Sequence, residues 1–356
     1  MLAIFPLLVI REPQASSPAL IFPALFVLVG VIVWRTFAAD TGILYFIAAF
    51  FALATEAVWS AKYLTAETLG QALMTYAGFA ALYLGVPQLA RRRGKPLLPE
   101  AGGGVVLIMS LALLMYLSTG PVAVTGIWGL AFLLAILNAA LFIESAAAAL
   151  PALSLAGSVI SWLILLSWWS EAAAAVGLLP SLLVVVGLAL VMVGGYLWAL
   201  RQARRATTAA EEVPQGVAQG LWLALIAHLF LLGVAANVEW AVPPWPLFGA
   251  LAVVTLAFST AALAARNPPV HIVSTVMVGL ILLMWRGVAQ PRGHAEVGIA
   301  AFGVLAVFAL AWIFVMRRFS EQAARARKTR RRPYRPWSSG LRSALPCWYF
   351  WGWSLN

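Results

Sequence analysis

Long apolar runs are the feature that most limits what this chain can fold into. A helix of about 20 apolar residues crosses the ~30 Å hydrocarbon core of a bilayer, and the sequence contains eleven such runs separated by short turns. Hydrophobic residues make up 63% of the 356 residues and charged residues only 10%, whereas an ordinary soluble domain has about 25% charged residues. So few polar groups could not cover the surface of a soluble fold, so we expect lipid to surround most of the chain.

The apolar runs are expected to be helices, because lipid offers no partner for a backbone N–H or C=O group. They are rich in Leu, Ala and Val and lack the ten-residue alternation of barrel strands. The sequence therefore predicts an all-α, polytopic transmembrane helical bundle of about eleven spans within residues 18–316. The predicted spans are 18–36, 42–61, 68–90, 103–119, 122–143, 152–170, 176–199, 219–238, 246–265, 270–286 and 297–316.

Basic residues predict the orientation of the bundle. The clusters RRRGK (91–95), RQARR (201–205) and the basic tail follow spans three, seven and eleven. Four spans separate each cluster from the next, so all three lie on one side, and the positive-inside rule makes that side cytoplasmic. This orientation puts 19 of the 23 basic residues inside. We expect a bacterial inner-membrane protein with its N-terminus outside and its C-terminus in the cytoplasm.

The net charge of +11 is distributed as membrane topology requires, so nucleic acid is not an expected partner. Membrane lipids are expected partners, and a homo-oligomer or a complex with other membrane proteins stays open. Residues 1–17 form a short N-terminal segment, for which truncation of a longer protein is one interpretation. Residues 317–356 form a basic, Trp-rich C-terminal tail, which begins as a helix on the anionic leaflet. Its end, which contains Cys347, is either an interfacial anchor or a non-native extension.

The turn NVEWAVPPWPLFG, residues 237–249, joins spans eight and nine on the outer side. Its prolines stop one helix and its Pro246 suits the first turn of the next. Trp240 and Trp245 favour the boundary between lipid and water, where Glu239 stays hydrated. The turn is therefore an interfacial anchor or, as the alternative, a ligand-binding or catalytic loop.

Ionisable and polar residues at membrane depth are costly and mark candidate functional positions. His228 lies about ten residues into span eight, and Asn138 in span five is the partner that the sequence suggests for it. Glu56 in span two is expected to be held by the interface or by Lys62. Glu144, at the inner end of span five, is expected to reach water. His228, Asn138 and Glu56 form the candidate buried polar site.

Common catalytic and metal-binding patterns are missing from the sequence. His228, His271 and His294 are predicted at three different depths, so one ion cannot bind all three. Asp40, the single aspartate, is predicted far from His228 and His294, which argues against a Ser-His-Asp triad. The AGGG segment (101–104) lacks the Lys-Ser/Thr of a phosphate loop. We therefore expect no cofactor and no metal, and we assign no catalytic residue.

Three stretches resemble one known family. They are ALYLGVPQLARRRGKPLLP (81–99), WGLAFLLAILNAALFIESAAAALPALSLAGSVISWLILLSWW (128–169) and HLFLLGVAANVEWAVPPWPLFGALAVVTLA (228–257). Over residues 40–290 the chain is similar to the C-terminal membrane region of domain-of-unknown-function family 2339, a group of large polytopic bacterial proteins. The resemblance implies a helical membrane fold and a chain that is a fragment or a shortened member. It implies no activity.

Three functions remain open after these exclusions. A transporter-like or envelope-associated, non-enzymatic role requires His228, Asn138 and Glu56 to converge across a cavity. The alternative is a glycosyltransferase-like membrane enzyme acting on lipid-linked substrates, which needs outer acids such as Glu67, Glu171 or Glu239 in one cleft. A scaffold needs neither.

A weak internal repeat is also indicated. The segment ATEAVW (54–59) resembles ANVEW (236–240), and the two copies would run in the same direction.

Overall fold

The structure is a computed structural model that describes residues 2–39, 41–119, 122–206, 215–289 and 295–330. All regular elements within these ranges are helical. A 3₁₀ turn at Pro13–Ser16 follows the first helix. The α-helices are α1 (Ile4–Arg11), α2 (Pro18–Ala39), α3 (Gly42–Tyr63), α4 (Leu69–Arg92), α5 (Gly102–Ser118), α6 (Val122–Thr125), α7 (Ile127–Ala147), α8 (Pro151–Val176), α9 (Leu178–Ala206), α10 (Gln215–Ala224), α11 (Ile226–Ala236), α12 (Trp245–Ala265), α13 (Pro268–Ala289) and α14 (Ala295–Arg330).

The helices match the predicted spans. Within the described residues, ten helical segments are long and apolar enough to cross a membrane, and α10 and α11 together provide one of them. The helix α5 is shorter at 17 residues, which corresponds to about 26 Å and is still enough to span. The prediction of an all-α, multi-pass membrane bundle is confirmed. The predicted helical start of the tail is also confirmed, since α14 continues as a basic helix to Arg330; residues 331–356 lie outside the described residues.

Three helical hairpins contain the same tryptophan hydrogen bond, which we call the tryptophan lock. They are α2–α3, α7–α8 and α12–α13, and in each the second helix carries a buried tryptophan 17 residues after its first residue. The indole N–H of that tryptophan donates to a backbone carbonyl in the segment before the first helix. The bonds are Trp59 to Ala15 (3.1 Å), Trp168 to Ala123 (3.0 Å) and Trp285 to Ala241 (2.8 Å). The same hairpin therefore occurs three times in the same register.

Each hairpin belongs to a larger unit. It is followed by a helix that ends in a basic cluster (α4, α9 or α14), and in the first two units by a returning helix (α5, or α10 with α11). The contacts between units also recur: α4 and α5 pack against α7 as α9 and α11 pack against α12, and α5 packs against α8 as α11 packs against α13. Units of four spans therefore follow one another in the same direction.

This register differs from the repeat that the sequence suggested. The similarity of ATEAVW to ANVEW pairs Trp59 with Trp240, but Trp59 corresponds to Trp168 and Trp285 in the structure. The short similarity predicted the wrong pairing, because apolar helices share many residues by chance. The parallel direction of the repeat agrees with the prediction.

The basic clusters lie together at one end of the bundle, which we call the basic end. Arg91 at the end of α4 pairs with Glu144 at the end of α7, and the Arg204 guanidinium at the end of α9 donates to the Ala264 carbonyl at the end of α12 (2.8 Å). The predicted common side of these clusters is thus confirmed in the described residues. The end that carries the three locking tryptophans is called the tryptophan end.

Candidate functional site

Glu56 is buried, but its hydrogen-bond partner is not the one that was expected. The Tyr83 hydroxyl donates to Glu56 Oε1 at 3.0 Å, and only 2% of Glu56 is exposed. Lys62 instead donates to the carbonyls of Val9 (3.3 Å) and Ile10 (2.6 Å). The prediction that the interface or Lys62 holds Glu56 is therefore wrong, because Glu56 points into the packed helices and a tyrosine of α4 satisfies it.

The space beside Glu56 is too small for a solute. A cavity of about 10 Å³ lies between α3, α4, α5 and α7, lined mainly by leucines together with Tyr76 and Ser110. A cavity of this volume holds at most about one water molecule. Glu56 is consequently a satisfied buried acid rather than part of a binding chamber.

The suggested partnership of His228 with Asn138 is also wrong. His228 Nε2 lies 3.1 Å from the Ser274 hydroxyl of α13. Asn138 pairs with Ser161 of α8, to which its Nδ2 donates at 2.8 Å. His228, Asn138 and Glu56 therefore belong to three separate hydrogen-bonded groups, because α7 turns Asn138 towards α8 while α11 turns His228 towards α13.

Asn138 of α7 lies at the deep end of a series of buried hydroxyl groups on α8. Ser154, Ser158 and Ser161 are spaced i, i+4 and i+7, which places them on one face of the helix. Ser158 shares a 2.7 Å hydrogen bond with the Tyr196 hydroxyl of α9, and Ser154 accepts one from the Ser145 hydroxyl at 3.2 Å. We call this series, from Ser154 to Asn138, the hydroxyl track.

The hydroxyl track begins at a cavity of about 510 Å³ at the basic end. The cavity lies between the end of α7, the start of α8, the end of α9 and the start of α10. Of the described residues that line it, Ser145, Ser154, Tyr196 and Gln202 have polar side chains and the others are apolar. Gly220 of α10 makes room for this arrangement, since a Cβ there would lie 2.0 Å from the Tyr196 ring.

Sequence reasoning did not identify this cavity or its residues. The spacing of Ser154, Ser158 and Ser161 within an apolar run is a signal that could have located the track. The role of Tyr196 has no comparable signal, because it depends on which helices α9 contacts.

A buried ion pair closes the basic end between the first two units. The Arg91 guanidinium binds both carboxylate oxygens of Glu144, with Nη1 to Oε2 at 2.8 Å, and Gln88 Nε2 donates to Oε2 at 3.1 Å. Glu144 is fully buried, so the expectation that it reaches water is wrong. The carboxylate also explains the glycine at position 103 of the AGGG segment, since a Cβ there would lie 2.6 Å from Glu144 Oε1.

The predicted outer turn lies at the tryptophan end. Glu239 is exposed, and its backbone N–H donates to the Asn237 side chain at 2.9 Å. Trp240 packs edge-on against Trp169 with ring centroids 5.5 Å apart, and Trp245 is 65% exposed. These positions are those of an anchored turn.

The other outer acids do not form a cleft with this turn. Glu67 and Glu171 are also exposed, and no described contact joins them to Glu239. In the described residues no three His, Cys, Asp or Glu side chains group as a metal site would require. Asp40, His294 and Cys347 lie outside the described residues.

None of the family models, curated proteins and solved structures compared with this chain matches it. The inference of function therefore rests on the side-chain contacts described above.

Proposed function

We propose that this protein is a transporter of the bacterial inner membrane that binds a small, uncharged polar solute in the cavity at the basic end. The convergence of His228, Asn138 and Glu56 that was expected of a transporter does not occur. The proposal rests instead on the hydroxyl track, which leads from that cavity to polar groups at membrane depth. A cavity in the membrane region that leads into hydrogen-bonding groups at depth is what a permeation pathway needs.

The cavity has the size and chemistry of a small-molecule site. Its volume of about 510 Å³ falls within the ~300–1,000 Å³ range of ligand pockets. The hydroxyls of Ser145, Ser154 and Tyr196 each donate and accept, and the Gln202 amide does both as well. Among the described residues no charged side chain lines the cavity, and an uncharged solute suits this lining better than an ion.

The hydroxyl track supports movement beyond the cavity. Ser154 and Ser161 are separated by about 10 Å along α8 at 1.5 Å per residue. Each group of the track has a partner in the resting structure: Ser161 donates to the Gly157 carbonyl at 2.7 Å and contacts Asn138. A solute with hydroxyl or amide groups can replace these partners one at a time without leaving buried polar groups unsatisfied.

The positive-inside rule supports a proposal for the side of the membrane to which the cavity opens. We propose that the basic end faces the cytoplasm, because the clusters at 91–95 and 201–205 and the start of the tail gather there. The cavity then opens inward, and the N-terminus lies outside. Membership of domain-of-unknown-function family 2339 is part of the same proposal, on the three stretches that resemble it.

Alternating access tests the proposal directly. In a Cys347→Ser background, which removes the native cysteine, Ser161→Cys is labelled with a membrane-impermeant thiosulfonate in right-side-out and in inside-out vesicles. A transporter exposes this deep position to each side in turn, so we expect labelling from both. Ser154→Cys, in the cavity, is the positive control and reacts from the basic side. Val159→Cys, on the lipid-facing side of α8 at 42% exposure, reacts from neither side.

Two outcomes contradict transport. Labelling of Ser161→Cys from the basic side alone identifies a closed-ended pocket, as an enzyme or receptor would have. No labelling of Ser161→Cys, together with normal labelling of Ser154→Cys, identifies a packed scaffold.

A further inference from the structure

The fold contains the same three-helix junction twice. In one unit α5, α7 and α8 pack together, and in the next α11, α12 and α13 do so. The locking tryptophans align α8 with α13, which makes Gly157 the counterpart of Ser274. The starts of α7 and α12 make Leu141 the counterpart of Ser259 in the same way. The two junctions can therefore be compared position by position.

The first junction is apolar at these two positions. A Cβ added at Gly157 would lie 2.5 Å from Leu141 Cδ1 and 3.8 Å from Leu111 Cδ1, so two leucines and a glycine fill the space between the helices. All three residues are buried. This junction shows that the packing of the unit does not need polar groups here.

The second junction is polar at the same positions. Ser274 of α13 contacts His228 Nε2 of α11 at 3.1 Å. Ser259 of α12 contacts His271 Nδ1 of α13 at 3.1 Å. His228 is fully buried and His271 is 2% exposed. The His271 position is polar in both junctions, since Ser154 stands there in the first. At the positions of Ser259 and Ser274, however, the leucine and glycine of the first junction avoid the free-energy cost of burying polar groups, so these two serines serve a purpose other than helix packing.

Hydrogen-bonding capacity is left over in the second junction. His228 Nδ1, His271 Nε2 and the Thr255 hydroxyl are buried and have no hydrogen-bond partner among the residues that the structure describes. Unsatisfied groups of this kind are rare in native proteins and call for an explanation. The helix is also interrupted there: the His228 N–H bonds to the Leu225 carbonyl three residues earlier, between α10 and α11. The corresponding helix α5 is continuous.

The polar groups form an ordered series from the basic end inward. His271 lies three residues into α13 and Ser274 six residues, which corresponds to ~4.5 Å and ~9 Å from the start of the helix. The pair of His271 with Ser259 therefore comes first, and the pair of Ser274 with His228 follows one turn deeper. A single water molecule spans a step of this length with two hydrogen bonds of about 2.8 Å.

We propose that His271, Ser259, Ser274 and His228 form a proton relay from the basic end to the middle of the bundle. Hydroxyls, imidazoles and water each donate and accept a hydrogen bond. In each step a group accepts one proton and releases another, so one passage turns the hydroxyls and leaves His271 in its other tautomer. The relay ends at His228, whose ring holds the incoming proton as an imidazolium. Return of one of its two ring protons along the same groups to water at the basic end restores the starting state.

The surroundings favour a proton over a metal ion as the transferred species. Within the described residues, the helices packed against α11 present no carboxylate or thiol to His228. The helices α10 and α12 contain neither, α13 offers His271, and the one acid of α8, Glu171, is exposed. On α9 the Tyr196 hydroxyl is engaged with Ser158, and the arginines of α9 lie at the basic end. Two imidazoles with hydroxyls make a poor metal site but a suitable hydrogen-bond chain.

Hydrogen–deuterium exchange of the histidine rings tests the relay without requiring a transported solute. The full chain is labelled with ¹⁵N-histidine, placed in lipid nanodiscs and transferred to D₂O, and each ring N–H is followed by NMR. The three histidines are assigned by single His→Gln substitutions. We expect the His228 ring to exchange within minutes, although the backbone amide of His228 remains protonated for hours.

Ser274→Ala removes the link between the two pairs. We expect exchange of the His228 ring to slow at least about tenfold while exchange of the His271 ring is unchanged, and Ser274→Thr to restore it. Thr275→Ala is the matched control, because the Thr275 hydroxyl bonds to the His271 carbonyl and lies outside the relay. A His228 ring that does not exchange over hours, or that exchanges equally fast in Ser274→Ala, overturns the proposal. Exchange of the His228 ring in step with the His228 backbone amide indicates local unfolding and overturns it too.

Discussion

The ion pair of Arg91 with Glu144 predicts that substituting one partner lowers the free energy of unfolding more than substituting the other. Glu144 is fully buried, whereas 20% of the Arg91 side chain is exposed. Arg91→Met keeps most of the apolar stem but leaves a carboxylate without its counter-charge in the packed bundle. Glu144→Gln keeps the volume of the acid and leaves a guanidinium that can turn to water.

The structure allows the magnitudes to be worked out. Arg91→Met removes two charge-assisted hydrogen bonds, each contributing about 1.5–3 kcal/mol, and breaking a buried pair from one side costs about 3–5 kcal/mol. The bond from Gln88 and the N-terminus of α5 near Gly103 remain, and a helix N-terminus contributes about 0.3–1 kcal/mol. We expect Arg91→Met to lower the free energy of unfolding by about 3 kcal/mol. Glu144→Gln should lower it by about 1 kcal/mol, since an amide needs no counter-charge.

Reversible unfolding in mixed micelles of a mild detergent and dodecyl sulfate, followed by tryptophan fluorescence, measures both variants. The double variant should be more stable than Arg91→Met alone, because neutralising Glu144 removes the stranded charge. Equal costs for the two single variants, or a double variant whose cost is their sum, would refute the claim that Glu144 is desolvated.

Two further stability predictions use the same assay. Gly103→Ala should destabilise the protein by about 1–3 kcal/mol, because its Cβ would meet the buried carboxylate, whereas Gly78→Ala, with no atom within 4 Å of the added Cβ, should be close to neutral; equal effects would contradict the steric argument. Trp168→Phe should cost about 1–2 kcal/mol, because it leaves the Ala123 carbonyl without its donor, whereas the lipid-facing Trp128→Phe should change stability by less than about 0.5 kcal/mol. A neutral Trp168→Phe would show that the indole bond does not stabilise the hairpin.

The spans could be predicted from the sequence because hydrocarbon thickness and the need to pair every backbone group act on each run separately. The common location of the basic clusters followed from the parity of the spans, and the contact of Arg204 with Ala264 agrees with it. These inferences need only the position of a residue along its own helix.

Partners of buried polar groups could not be predicted in this way. The sequence gives the depth of a residue in a span but not the direction in which its side chain points across the bundle. Asn138 and His228 therefore looked compatible, although they face different helices. Glu144 looked able to reach water, because nothing in its own span indicates that Arg91 of a distant span would cover it.

The same-direction succession of four-span units has a consequence for how such chains can vary. A whole unit adds an even number of crossings, so its gain or loss leaves every other segment facing the compartment it faced before. The insertion of one or three helices would instead invert everything that follows. Proteins built on this plan can therefore gain or lose about four membrane crossings at a time while the remaining segments keep their orientation in the bilayer.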